Sequence, residues 1–257
     1  MKKLILMIML SCYNYGYGYE IATFAPPANP VSEQPTTVIR YTQPNSKDMI
    51  IFIPGGEGHY ILPKHPIDDS KGFLALLKSI SASSGADVSI VISPYPLKVS
   101  PSTWYPYMRD TDDHLGRIES IVRQYQNTHN IWLMGHSNGT SSITTFVHWL
   151  EKRNNIGSIK GLIMASTRDV AQFDRSPELP VLFVHHVKDA CRATPFDTAQ
   201  RNFVRVQQIN SHKTEFVAVD SDIPTTWGDP CNSGYHLLRG TDAETTSAIV
   251  NFMKESK

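Results

Sequence analysis

The chain has 257 residues, 24 basic against 24 acidic, and an ordinary apolar share of 40%. That is enough to bury a large core, in one α/β domain or at most two small ones. The balanced charge carries no electrostatic footprint for nucleic acid or an anionic surface, so neither is expected as a partner.

The N-terminus starts basic, at Met1-Lys2-Lys3, and continues as the apolar run Leu4–Leu10, with small residues at Gly16 and Gly18. This is the pattern of a secretory signal peptide, too short to span a membrane. We expect residues 1–18 to be a leader cleaved after Gly18, export to the periplasm or medium, and no stable membrane span. A competing reading takes Leu10-Ser11-Cys12 as a lipoprotein box with Cys12 lipidated, but Met9 sits where leucine is usual. Residues 19–36, with prolines at 26, 27, 30 and 35, are expected to be an extended segment that wraps the surface.

From residue 37 to 257 the pattern alternates strand and helix. Thr37–Tyr41 and Met49–Pro54 are expected to pair around the turn Pro44-Asn45-Ser46. MIIFIP is a continuous apolar run, as in a strand covered on both faces. Gly55-Gly56-Glu57-Gly58 follows it, where backbone N–H groups can turn outward. Phe73–Ser81 has a helical period and Val88–Ser93 is another buried strand. The loop Pro94–Asp110 carries Tyr95, Trp104, Tyr105 and Tyr107, which either wall a substrate pocket or pack over the sheet edge. Asp112–Tyr125 is a helix, with His114 near its start as a capping or packing residue. Later strands are Ile159–Ala165, Leu179–His186 and Lys213–Val219, and later helices Thr194–Gln208 and Ala243–Lys254. Such alternation implies a mostly parallel sheet with helices on both faces and ligands at the C-terminal strand ends.

The stretch Ile131–Gly139, IWLMGHSNG, carries the chemistry. A short apolar strand ends in Gly135-His136-Ser137-Asn138-Gly139, and a helix begins by Thr140. G-x-S-x-G arises by chance in about one chain in ten of this length, so the pattern alone is weak. Its strand–turn–helix context is what a nucleophile elbow requires. A serine there is exposed, crowded by backbone that only glycine admits, and faced by the free N–H groups of the next helix. Ser137 is therefore the expected nucleophile.

A serine hydroxyl needs a base, and the base needs an orienting acid. In the chain order Ser, acid, His, Asp189 lies just past the strand ending at His186, and His236 lies between the last strand and the last helix. Asp169 is the alternative acid. His185-His186-x-x-Asp189 invites a metal reading, but neighbouring strand residues point to opposite faces. No metal and no cofactor are expected, and His136 and His185 are assigned to packing or support.

With GHSNG, the late Asp189 and the terminal His236 in place, the chain resembles the α/β-hydrolase superfamily. PGGEG, HHVKDACRATPF and PCNSGYH resemble a group of exported bacterial serine hydrolases within it. The resemblance runs from about Thr37 to the C-terminus. It implies an α/β-hydrolase fold with an eight-stranded, mostly parallel sheet, no large lid domain, and an acyl-enzyme mechanism. It also implies an oxyanion hole from the N–H groups of Gly56 and Asn138. Pro54 stands where many members have histidine, which leaves Gly56 and Glu57 both open. Tyr60 and Trp104 are the substrate-contact candidates, for a small or polymeric acyl ester. The same triad serves thioesterases, peptidases and acyltransferases, and the fold also hosts silent binding modules. Of the three cysteines, Cys12 lies in the leader, leaving Cys191 and Cys231 to form a disulfide in an oxidising compartment.

Overall fold

A computed structural model describes residues 13–15, 18–59, 72–222, 228–232 and 234–256. The rest of the expected leader, and Tyr60, lie outside the described residues. In chain order the strands are β1 (Tyr13–Tyr15), β2 (Tyr19–Phe24), β3 (Thr36–Tyr41), β4 (Asp48–Ile53), β5 (Asp87–Ile92), β6 (Asn130–His136), β7 (Gly161–Ala165), β8 (Val181–His186) and β9 (Thr214–Val219). The helices are α1 (Gly72–Ser84), α2 (Asp112–Tyr125), α3 (Asn138–Lys152), α4 (Phe196–Ile209) and α5 (Asp242–Glu255).

The nine strands among the described residues form one sheet in the order β1-β2-β3-β5-β4-β6-β7-β8-β9. From β5 to β9 every neighbour is parallel, and β1, β2 and β3 extend the β5 edge antiparallel. Eight of these strands start at or after Tyr19; the ninth, Tyr13–Tyr15, is a three-residue edge strand within the segment expected to be the leader. Tyr19–Phe24 is likewise a strand, where the sequence suggested only extended chain.

The expected pairing of β3 with β4 does not occur. β5 lies between them, antiparallel to β3 and parallel to β4. The reason is burial. Every residue of β4 and β5 is buried, so both belong inside the sheet, whereas β3 leaves Thr37 and Arg40 half-exposed. Arg40 ties the edge together through Glu20 on β2 (3.3 Å) and Asp87 on β5 (3.2 Å).

Alternation within the apolar strands explains their two-sided burial. Met49, Ile51 and Ile53 face the core built with Leu115 and Ile118 of α2, Ile143 and Phe146 of α3 and Val206 of α4. Ile50 and Phe52 face the opposite core, with Leu76 and Leu77 of α1 and Ile249 and Phe252 of α5. The proline-rich lead-in is held against α2 by the buried Arg117, whose guanidinium donates to the carbonyls of Ser32 (2.6 Å) and Gln34 (2.9 Å). Among the described residues no helix is long and apolar enough to cross a membrane.

Candidate functional site

β6 ends at His136, and α3 begins at Asn138, leaving Ser137 alone at the turn with φ 52° and ψ −122°. A non-glycine residue at positive φ stores strain, tolerated here because the surrounding backbone over-determines it. The two flanking glycines are explained by contact. A Cβ on Gly139 would sit 2.0 Å from the Ile53 carbonyl oxygen, and one on Gly135 would sit 2.7 Å from the Gly139 carbonyl. Strand β4 and helix α3 pass the turn too closely for any side chain. The Gly135 and Gly139 of the motif are thus steric requirements of the elbow.

Asp189 follows β8 and His236 precedes α5, and the fold brings them into contact. His236 Nδ1 lies 3.0 Å from Asp189 Oδ2. Both residues are buried, His236 to 2% exposure. Asp189 is otherwise fully engaged: its Oδ1 accepts from the Cys191 N–H (2.9 Å) and its Oδ2 from the Thr194 hydroxyl (2.9 Å). Burial pushes the Asp189 carboxyl up, but hydrogen bonds from His185 and His236 outweigh it and hold the group below the usual carboxylate range. An ionised Asp189 accepts the Nδ1 proton of His236, which leaves Nε2 as the acceptor nitrogen of the ring.

His236 is also anchored through its backbone. Its carbonyl accepts from His136 Nε2 (2.8 Å) and from the Ser166 hydroxyl (2.9 Å) at the end of β7. The His136 and His236 rings lie 4.7 Å apart, so the histidine loop is seated directly on the elbow. Burial, reinforced by the neighbouring His236, pushes the His136 imidazole down to about 3, so it is a neutral donor. His185 braces the acid loop, with Nε2 3.0 Å from the Thr194 carbonyl and 3.4 Å from Asp189 Oδ2. His186 points the other way, to the Ser221 hydroxyl at 3.0 Å. The two imidazoles diverge as strand geometry requires.

Asp169 does not reach His236. Its Oδ1 accepts from Arg168 Nε (2.9 Å) and from the Val170 N–H (2.9 Å). His114 packs inside, 2.8 Å from the Ser142 hydroxyl, in keeping with a packing role.

On the other side of Ser137, the loop after β4 carries Gly56 in the left-handed region, φ 55°. The Asn138 amide donates to the Gly56 carbonyl (3.1 Å), and its side-chain oxygen accepts from the buried Arg168. The Asn138 backbone N–H, at the first position of α3, is one of the helix's unpaired donors. Trp104 is 59% exposed and sits at φ 57°, with its carbonyl held by Arg168 (2.7 Å) and its ring 5.1 Å from the Arg192 guanidinium. Tyr95, by contrast, is structural: its hydroxyl bonds Asp113. Cys191 and Cys231 form a disulfide, as their positions suggested. It joins the acid loop to the segment before His236.

Sequence reasoning missed Thr194, Ser166 and Arg168 as parts of this site. Thr194 lies in the quoted HHVKDACRATPF stretch and Ser166 at a strand end, so position was a faint signal for both. Nothing local marks Arg168.

No protein-family model matches the chain, and no curated protein matches its sequence. Solved structures match its shape. A dienelactone hydrolase from Anabaena variabilis superposes with a TM-score of 0.58 at 9% identity, over 91% of this chain and 98% of that one. Est1E from Butyrivibrio proteoclasticus gives 0.58 at 15% identity, over 91% and 98%. XC6422 from Xanthomonas campestris, an α/β serine hydrolase without a lid, gives 0.58 at 10% identity, over 92% and 94%. These likenesses show that the chain has the α/β-hydrolase fold.

Proposed function

We propose that this protein is an exported serine hydrolase, carboxylesterase-like, that cleaves small or polymeric acyl esters through Ser137, His236 and Asp189. The observation that carries the proposal is the 3.0 Å contact of Asp189 with His236 Nδ1, on a histidine loop seated against a strained elbow serine. Three esterase and hydrolase neighbours of the same fold are consistent with it.

In this mechanism His236 Nε2 takes the Ser137 proton as Oγ attacks the ester carbonyl carbon. Asp189 holds the tautomer and stabilises the imidazolium that forms. The backbone N–H of Asn138, with that of Gly56 or Glu57, binds the tetrahedral oxyanion. The imidazolium returns its proton to the leaving alkoxide, which departs as the alcohol. Water, deprotonated by the same histidine, then attacks the acyl-enzyme and releases the acid. Trp104, held over this rim by Arg168 and Arg192, is the proposed contact for the part of the substrate next to the scissile bond.

The test is a fluorophosphonate probe followed by a panel of acyl esters of graded chain length. The expected result is a single covalent adduct on Ser137 and turnover that varies with acyl length. Absence of both labelling and ester hydrolysis by the folded protein would overturn the proposal and favour a silent binding module.

A further inference from the structure

The carbonyls of the loop after β4 converge on one buried side chain. Arg109, in the short 3-10 turn Tyr107–Asp110, is 1% exposed. Its Nη2 donates to the carbonyls of Pro54 (3.0 Å), Gly55 (3.4 Å) and Gly56 (3.0 Å). Its Nη1 donates to the Ser142 hydroxyl on α3 (2.9 Å), which is also held by His114 Nε2 (2.8 Å) on α2. The Thr145 hydroxyl on α3 lies 3.1 Å from the Arg109 carbonyl. The guanidinium is therefore held by α3 through Ser142, which His114 of α2 braces in turn.

In a planar trans peptide, the carbonyl of one residue and the N–H of the next point in opposite directions. Turning the carbonyls of Pro54, Gly55 and Gly56 towards Arg109 directs the N–H groups of Gly55, Gly56 and Glu57 away from it. Ser93 and Leu97 also donate to the loop, at the carbonyls of Gly58 (2.9 Å) and Glu57 (2.8 Å), and its Gly55 end abuts the elbow: a Cβ on Gly55 would lie 2.9 Å from Ser137 Cβ. Its Gly55 end thus lies between the buried cation and Ser137. A peptide whose carbonyl accepts from a cation is also a stronger donor at its N–H.

We propose that Arg109 is the positioning residue of the oxyanion hole, an inference that rests on the serine-hydrolase reading. It touches no substrate and acts through the peptides that it orients. The job suits arginine. Its planar fork reaches three successive carbonyls and a hydroxyl together, whereas a lysine ammonium is a compact point charge on a flexible stem. Asn138 reinforces the arrangement from the elbow by donating to the same Gly56 carbonyl (3.1 Å).

The experiment compares wild-type protein with Arg109→Lys, Arg109→Met and Ser142→Ala on matched pairs of oxo and thiono esters of one acid. Sulfur is larger and accepts hydrogen bonds poorly, so an aligned oxyanion hole favours the oxo ester. General structural damage slows both members of a pair alike. In Arg109→Lys, kcat for the oxo ester should fall by about 10^2-fold, the scale of losing one oxyanion donor. KM should change by less than about 3-fold, and the oxo-to-thiono rate ratio should shrink towards one. Ser142→Ala, which frees only Nη1, should move the ratio the same way by less. If the Arg109 variants do not fold, Ser142→Ala carries the test alone. An unchanged ratio in the folded variants would overturn the role of Arg109 while leaving the triad standing. A wild-type protein that neither takes a fluorophosphonate on Ser137 nor hydrolyses esters would overturn the serine-hydrolase reading, and this inference with it.

Discussion

His136 Nε2 donates to the backbone carbonyl of His236 across 2.8 Å, joining residues 100 positions apart in the chain. The residue before the elbow serine therefore helps to seat the residue proposed as its base. His136→Phe keeps a ring beside Phe73, whose ring lies 4.6 Å away, but removes the donor. We expect kcat to fall by about 10-fold, since an ångström of misplacement can cost up to about 10^2-fold. Steady-state kinetics on one ester checks this, and an unchanged kcat would leave the Ser166 hydroxyl as the only needed support of that carbonyl.

The same residue makes stability depend on pH. Burial, followed by the charge of His236, pushes the folded-state imidazole down from 6.5 to about 3, with Asp189 opposing and His185 adding to the shift. Between those values the unfolded chain binds a proton that the native state refuses, so stability falls as pH falls below 6.5. Above 6.5 both states are neutral and the contribution to the slope vanishes. Denaturant melts at pH 7, 6, 5 and 4 should show wild-type stability falling more steeply than that of His136→Phe, by about 1.4 kcal/mol per pH unit well below the unfolded pKa. Other buried imidazoles, such as His114, remain in both proteins and cancel in the comparison.

Ser137→Ala should leave the fold intact and reduce turnover by about 10^6-fold, as loss of a triad serine does. The turn is held by backbone, with Ser137 N–H on the Ala165 carbonyl (3.1 Å). Circular dichroism with single-turnover kinetics separates folding from chemistry. Residual hydrolysis near the wild-type rate would point to another nucleophile.

Asp189→Asn should lower the rate by about 10^4-fold by allowing the wrong histidine tautomer. Asp169→Asn should be mild, because Asp169 bonds Arg168 and Val170 rather than His236. Parallel kinetics of the two variants decide the assignment, and the reverse ranking would move the acid to Asp169.

The parts of this fold that lie within one stretch of sequence were legible. Apolar runs gave the buried strands, and GHSNG with its flanks gave the elbow, because those signals are local. Strand neighbours were not local. β3 and β4 are consecutive in the chain, but β5, arriving after a crossover through α1, takes the place between them. The site divided in the same way. The contact of Asp189 with His236 was anticipated because each follows a strand in a set chain order. Ser166 reaches His236 across 70 residues and Arg109 reaches Pro54 across 55, with no repeat or spacing to mark either pair. Their side chains bind backbone carbonyls, and a carbonyl leaves no trace in residue identity.

A disulfide clips the acid loop to the histidine loop. Cys191 is 2% exposed and bonded to Cys231, 40 residues later. Its backbone N–H also donates to Asp189 Oδ1 (2.9 Å), so the bridge is attached to the peptide that orients the acid. Closing a loop of that length is worth about 4 kcal/mol in the chain-entropy model. For a domain of this size that corresponds to a melting temperature higher by about 10 °C. Reduction, or Cys231→Ser, should therefore lower the melting temperature by about that amount. It should also lower kcat more than it alters KM, because Asp189 meets His236 and not the substrate. Mass spectrometry of the non-reduced protein after alkylation, with melting curves in and out of reductant, provides the check. Two alkylatable thiols in freshly purified, non-reduced protein would show that the bridge does not form. A bridged protein whose kcat is indifferent to reduction would show that the Asp189 loop is held by Thr194 and His185 without it.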